Sequence, residues 1–315
     1  MATPRTVQLN EITVTAAKII INCESGVIYD NIRLILGNPA AANGNAPVIA
    51  TCIGLIDILM NGQSQRKADA TNMASEAALF GANWAPQFYA AGTNGLPAGN
   101  GNGRTHLLLM FKEPRSRLHE SSVDVASLGW KTKWLPKNKG LQIVIANTLG
   151  VGISISAEAE IRDGDDSDVN GPSSIVKMES YDNVLGANPS TLNNWSKNVP
   201  AGDRFVSLSI FNSSGGVGGI KTVDKAYVEA GGAKFIEDIL KASLVTQLKS
   251  CDLDPVGADA LANAYRVVFD RNETTNDSLP QFDASLLKVT MSAAANGEGL
   301  IILTQRYGFP NGYSA

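Results

Sequence analysis

Histidine and cysteine are scarce in this sequence. Histidine occurs twice, at His106 and His119, and cysteine three times, at Cys23, Cys52 and Cys251. There is no HExxH, no CxxC and no Cys/His cluster, so a zinc site has no ligand set to build on. His106 opens an alternating segment and His119 sits in a charged stretch, so both read as surface or edge histidines with no further role. No Lys/Arg-rich run occurs and the net charge is only -4, which removes the electrostatic footprint of a nucleic-acid-binding protein. The longest apolar stretch, Ile53 to Met60, is broken by Gly54 and Asp57 and is far short of the roughly 20 residues a membrane-spanning helix needs. Met1-Ala2-Thr3-Pro4-Arg5 shows no basic segment leading into an apolar one, so no signal peptide is expected. The three cysteines have unrelated spacings and lie in or beside apolar segments. They read as buried free thiols of a soluble protein made in a reducing cytoplasm. Aromatic residues are sparse at 6%, which favours flat contacts between small side chains over an aromatic-lined cleft.

What the sequence does contain is period-2 alternation in many short segments, the mark of strands with one buried face. Ile153, Ile155, Ala157, Ala159 and Ile161 alternate with Ser154, Ser156, Glu158 and Glu160. Val206, Leu208 and Ile210 do the same, as do Leu287, Val289 and Met291. Similar runs cover residues 27–36, 48–60, 105–112, 139–147, 174–181, 219–230, 263–270 and 299–306. Gly, Asn and Pro clusters separate them, including the glycine-rich Ala91–Gly103, which reads as a loop. Two segments have helical spacing instead. Ala70–Phe80 places Met73, Ala77 and Phe80 on one face, with Asp69 as a cap. Ile236–Leu248 places Ile236, Leu240, Leu244 and Leu248 four apart, joined by Ile239.

The two halves repeat one order of elements. Asn61-Gly62 and Gly231-Gly232 are two-residue hairpin signals, each following a strand and preceding a short strand and then a helix. Ile32, Leu34 and Leu36 correspond to Val206, Leu208 and Ile210. Leu107, Leu109 and Phe111 correspond to Tyr265, Val267 and Phe269. Leu141, Ile143 and Ile145 correspond to Leu287, Val289 and Met291, and Ile153 and Ile155 to Ile301 and Leu303. The expected fold is therefore mainly β, two tandem eight-stranded antiparallel jelly rolls, each with one short helix after its mid-domain hairpin. A seven-stranded immunoglobulin sandwich gives no reason for the helix. The first unit spans residues 1–162, an acidic turn-rich linker 163–173, and the second unit 174–315.

Motifs that could carry chemistry are weak. Ser174-Ile-Val-Lys177 has the spacing of a serine acylation motif but lies in a strand pattern. Gly215-Gly-Val-Gly-Gly219 lacks the Lys-Ser/Thr and the helix of a phosphate cradle. Asn194-Trp-Ser196 and Asn272-Glu-Thr274 are incidental sequons. In the linker, Asp166, Asp168 and Asn170 alternate before Gly171, as the start of a calcium loop does. The twelfth position is Lys177 rather than Glu, which breaks the EF-hand pattern. Calcium is thus a candidate ligand there, against a solvated acidic linker, and no cofactor is required.

Gly26-Val-Ile-Tyr-Asp-Asn-Ile-Arg-Leu-Ile-Leu36, with Ile53-Gly-Leu-Ile-Asp-Ile-Leu-Met-Asn-Gly62, resembles the first domain of the double jelly-roll coat proteins of lipid-containing icosahedral bacteriophages, of corticovirus and finnlakevirus type. Asn198-Val-Pro-Ala-Gly-Asp-Arg-Phe-Val-Ser-Leu-Ser-Ile210 and Ala264-Tyr-Arg-Val-Val-Phe-Asp270 resemble segments of the second. The resemblance implies a non-enzymatic major capsid protein whose homotrimers form pseudo-hexameric capsomers. These would tile an icosahedral shell over an internal lipid membrane, alongside vertex (penton) and minor capsid proteins. The glycine-rich stretch from Gly92 to Gly103 is longer than the family pattern. The alternative is a tandem jelly-roll carbohydrate-binding or virion spike protein, for which Trp84, Phe88 and Tyr89 are the candidate aromatic cluster. Those three are expected to fill space beneath the long loop.

Overall fold

The computed structural model describes residues 5–37, 45–79, 86–89, 103–112, 129–132, 140–147 and 153–163, followed by eight strands between 176 and 308. Those later strands are described by their backbone pairing, together with the buried Ser207 and Ser209. The first half forms two facing antiparallel sheets. One has the order β1 (Arg5–Leu9), β11 (Ser154–Asp163), β4 (Val27–Gly37), β8 (Arg104–Met110) and β7 (Gln87–Tyr89), with the two-residue β9 (Trp130–Lys131) against β4. The other runs β2 (Ile12–Val14), β3 (Lys18–Asn22), β10 (Leu141–Asn147), β5 (Ile53–Met60) and β6 (Gln63–Asp69).

Alternation in the sequence sets which side chains meet between the sheets. Ile19 and Ile21 of β3, Ile143 and Ile145 of β10, and Ile56 and Ile58 of β5 are fully buried. They face Ile32, Leu34 and Leu36 of β4, Leu107 and Leu109 of β8, and the small Ala157 and Ala159 of β11 in one apolar cluster. Each aliphatic side chain so buried contributes about 1.5–3 kcal/mol. The intervening positions are polar or half-exposed, as a two-layer sandwich requires. Asn61 (φ 48°) and Gly62 (φ 77°) both lie in the left-handed region, which the tight β5–β6 hairpin demands of its two central residues. The helix expected after this hairpin is α2 (Ala70–Leu79), with Met73 and Ala77 buried; Phe80 lies outside the described residues.

The second half repeats the winding. One sheet has the order β12 (Val176–Val184), β19 (Leu300–Gly308), β14 (Arg204–Asn212), β17 (Ala264–Val268). Its companion is β13 (Asn193–Asn198), β18 (Leu286–Ala293), β15 (Val223–Ala230), β16 (Ala233–Leu240). Set beside β1-β11-β4-β8 and β3-β10-β5-β6, these orders match strand for strand. Among the eight matched strands of each half the chain crosses between sheets at every step except one hairpin, β5–β6 or β15–β16; the first half adds the short β2, β7 and β9, each within the sheet of a sequence neighbour. That winding is a jelly roll, and the chain holds two. The five correspondences read from the sequence fall on equivalent strands: β4 with β14, the β5–β6 turn with the β15–β16 turn, β8 with β17, β10 with β18, and β11 with β19.

Three expectations change. Ile236–Leu240, expected to begin a helix, is the end of strand β16. The pairings Ala226↔Ile239 and Val228↔Ile236 leave Glu237 and Asp238 opposite the single residue Tyr227, an irregularity that breaks period-2 alternation. The resulting apolar spacing imitates a helix; residues 241–248 lie outside the described residues. The run 48–60 is not one strand, because Ile49–Cys52 forms a helical turn, α1, before β5 begins. Phe88, expected beneath a loop, is 59% exposed on β7.

Candidate functional site

The described residues offer no convergent catalytic constellation, and among them no three His, Cys, Asp or Glu side chains gather as a metal site. No described helix is long and apolar enough to cross a membrane. Asp166, Asp168 and Asn170, the calcium-loop candidates, lie outside the described residues, as do His119, Cys251, Trp84 and Gly215–Gly219. Lys177 stands in β12, so the Ser174–Lys177 spacing ends in a strand and not on a helix.

What the described residues of the first unit do present is a set of outward sheet faces, strand edges and a buried ion pair. On the outer face of the β1–β11–β4–β8 sheet, cross-strand neighbours carry opposite or complementary groups. Arg33 of β4 lies 3.5 Å from Glu158 of β11, and the Asn31 amide donates to Glu160. Both Arg33 and Glu158 are more than a third exposed, so this ladder fixes register more than it adds stability. His106 of β8 stands beside Ile35 and Gln87 and meets the Tyr89 ring edge-on at 4.9 Å. Partial burial holds its imidazole below the usual histidine range; nearby Arg33 and Arg104 add to that effect and Glu158 opposes it.

At the end of this sheet the Arg162 guanidinium grips Asp30. Its Nε donates to Oδ1 and Oδ2 at 3.0 and 2.9 Å, and its Nη2 donates to Oδ1 at 2.6 Å. The Asp30 carbonyl meanwhile accepts the N–H groups of Phe111 and Lys112. Gly129 is pressed so close that a Cβ there would sit 2.6 Å from Asp30 Oδ1 and 2.9 Å from the Tyr29 carbonyl oxygen. Four chain segments thus meet at Asp30, two of them, those of Arg162 and Gly129, at its carboxylate. Just inside, Phe111 and Trp130 stack at 4.6 Å, and the buried Arg66 guanidinium lies 5.7 Å from each ring, a cation–π arrangement away from water. Of these residues the sequence singled out His106 and Tyr89 as candidates and Phe111, Glu158 and Glu160 only as strand positions; Asp30, Arg162, Gly129, Trp130 and Arg66 had no assigned role. A lone Asp in an apolar strand pattern and an Arg ending an alternating one were the available signals.

Cys23 and Cys52 are buried free thiols, as expected. Burial drives the Cys23 thiol far above the usual range. The Tyr29 phenol is raised likewise, first by burial, and donates to the Glu24 carbonyl at 3.0 Å.

Comparison with known proteins adds the wider frame. No family model and no curated relative matches this sequence. Solved structures do. The major capsid protein of bacteriophage PM2 superposes with a TM-score of 0.69 at 15% identity, covering 99% of this chain and 100% of that one. The major capsid protein of Sulfolobus turreted icosahedral virus gives 0.63 at 12%, covering 98% and 97%. The capsid of the virus PBCV-1 gives 0.62 at 11%, covering 99% and 97%. This chain therefore has, along its whole length, the double jelly-roll fold of those capsid proteins.

Proposed function

We propose that this chain is the major capsid protein of an icosahedral virus and acts as a shell subunit, not an enzyme. The observation that carries the reading is duplication within one chain. Two jelly rolls of the same sheet order make one polypeptide supply two like tiles, so three copies supply the six sides of a near-hexagonal capsomer. The end-to-end match to capsid proteins of three different viruses supports the same reading. In this proposal homotrimers tile the virion over an internal lipid membrane, with vertex and minor capsid proteins as further partners and no direct nucleic-acid contact. Residues 163–173 serve as the linker between the units, and Asp166, Asp168 and Asn170 as a weak calcium loop stiffening it.

A second reading, a carbohydrate-binding or spike protein, draws on Phe88, whose side chain is exposed on β7. Light scattering after gel filtration, with and without EDTA, separates the two. A mass near three times the 33.2 kDa chain is expected, and its loss in EDTA would assign the metal. A monomer at high concentration would overturn the capsid reading and lead to a glycan-binding screen.

A further inference from the structure

The sequence holds eight Asn-Gly dipeptides, and Asn61-Gly62, between β5 and β6, is the one of which the structure describes both residues. Both are exposed. The ladder ends on the pair Met60↔Gln63, which leaves the Gly62 backbone nitrogen outside it. Apart from its chain neighbours, no heavy atom lies within 4 Å of a Cβ built on Gly62, so that side of the peptide group is open to water. β6 is the terminal strand of its sheet, and a two-residue turn at such a border can open locally while the core stays closed.

We propose that Asn61 is a site of spontaneous deamidation, and that the turn selects the aspartyl product over the isoaspartyl one. The Gly62 nitrogen gives up its proton to hydroxide and attacks Asn61 Cγ. The new Cγ–N bond forms, the Cγ–Nδ2 bond breaks, and the leaving nitrogen takes a proton from water to depart as ammonia. Water then opens the five-membered succinimide at either of its carbonyls. Attack at Cγ gives aspartate; attack at the backbone carbonyl gives isoaspartate, with the main chain running on through the side-chain methylene. No oxidant, reductant or cofactor enters, and the chemistry is independent of the capsid reading.

The turn decides which product accumulates. Ring closure rotates the Asn61–Gly62 peptide unit out of the turn geometry, φ 48° and 77° at the two residues, so the step belongs to the opened turn. Asp-Gly closes the same kind of turn as Asn-Gly. Isoaspartate lengthens the main chain by one atom and does not restore two left-handed residues between Met60 and Gln63. Both acids return slowly to the succinimide while the turn is open, so cycling enriches the one that the closed turn holds. Each event adds a negative charge to the β5–β6 turn.

The test is ageing of the full-length protein at mildly alkaline pH, folded and in urea, followed by peptide mapping with fragmentation that separates the two acids. In the folded protein the peptide containing Asn61 is expected to gain the mass of an amide-to-acid exchange, with aspartate in excess. In urea it should carry isoaspartate in excess. Asn61→Gly, which keeps a turn-competent backbone, should lose the matching acidic species on ion exchange. Asn61→Asp should unfold at the wild-type urea midpoint. An Asn61 that stays intact in the folded protein, whether or not it converts in urea, would overturn the site. Isoaspartate in excess in the folded protein, or an Asn61→Asp variant clearly less stable than wild type, would overturn selection by the turn.

Discussion

Arg162 reaches Asp30 because Asp30 is the one residue of β4 that β11 leaves unpaired in this region. Asn31 pairs with Glu160 and Tyr29 with Ile161, so the register steps over Asp30. Such a bulge turns a side chain away from the face that alternation would give it. Here it places a carboxylate in a buried position, 4% exposed, beside the last turn of the ladder. Removing either partner leaves the other charge stranded, which costs about 3–5 kcal/mol in comparable buried pairs. Asp30→Asn and Arg162→Met are each expected to lower the urea midpoint accordingly. A double-mutant cycle should show strong coupling; additive effects would mean that the pair is not energetically linked.

Gly129 tests the same corner without touching charge. A methyl group at 129 meets backbone as well as the Asp30 carboxylate, so the neighbouring strand cannot simply swing a side chain aside. Gly129→Ala is expected to destabilise by about 1–3 kcal/mol, the range for overpacking. A variant as stable as wild type in thermal unfolding would show that β9 can move freely.

The β5–β6 turn should be sensitive to backbone rather than to packing, since nothing lies within 4 Å of a Cβ built on Gly62. Its positive φ costs an L-residue about 1–2 kcal/mol. Gly62→Ala should therefore lose about that amount in denaturant unfolding, whereas Gln63→Ala, exposed in the next position, should lose little.

His106 predicts a direction of pH dependence. Its folded pKa is depressed, so the unfolded chain binds the proton more readily and stability rises with pH. The contribution is fully present above the ordinary histidine value near 6.5. It is lost as pH falls through that value to the lowered one. His106→Gln should flatten this part of the stability profile measured between pH 7.5 and 5, a window of roughly that span around the histidine range. An unchanged slope would assign the acid sensitivity elsewhere.

Cys23 should resist alkylation in the native protein, because burial disfavours the thiolate that reacts. Mass spectrometry after iodoacetamide at mildly alkaline pH is expected to find Cys23 unmodified when folded and modified in urea. Rapid native labelling would mean that the part of the core holding Cys23 opens readily.

Strand content, the duplicated order and the first helix were legible in the sequence because one buried face imposes period-2 alternation over long stretches such as Ser154–Asp163. The β5–β6 turn was legible because few residues besides Asn and Gly accept its backbone angles. Legibility failed where pairing is irregular. At β16 the stepped register disguised a strand as a helix, and at Asp30 a bulge hid the ion pair in an otherwise apolar run. β1 to β3 escaped notice for a different reason: each is short, and β1 and β2 lie at the edges, where half of the residues need not be apolar. β6 and β12, whose Cα atoms come within 8 Å of each other, left no local signal of that contact, because neighbouring strands that share no ladder impose no periodicity on one another.

That same contact bears on what happens if the chain is ever cut. Severed between Asp163 and Val176, each fragment would keep its own jelly-roll winding but bare a strand that the intact chain covers. Joining the two units in one polypeptide therefore keeps β6 and β12 side by side, so that these two terminal strands meet each other before either meets a foreign chain.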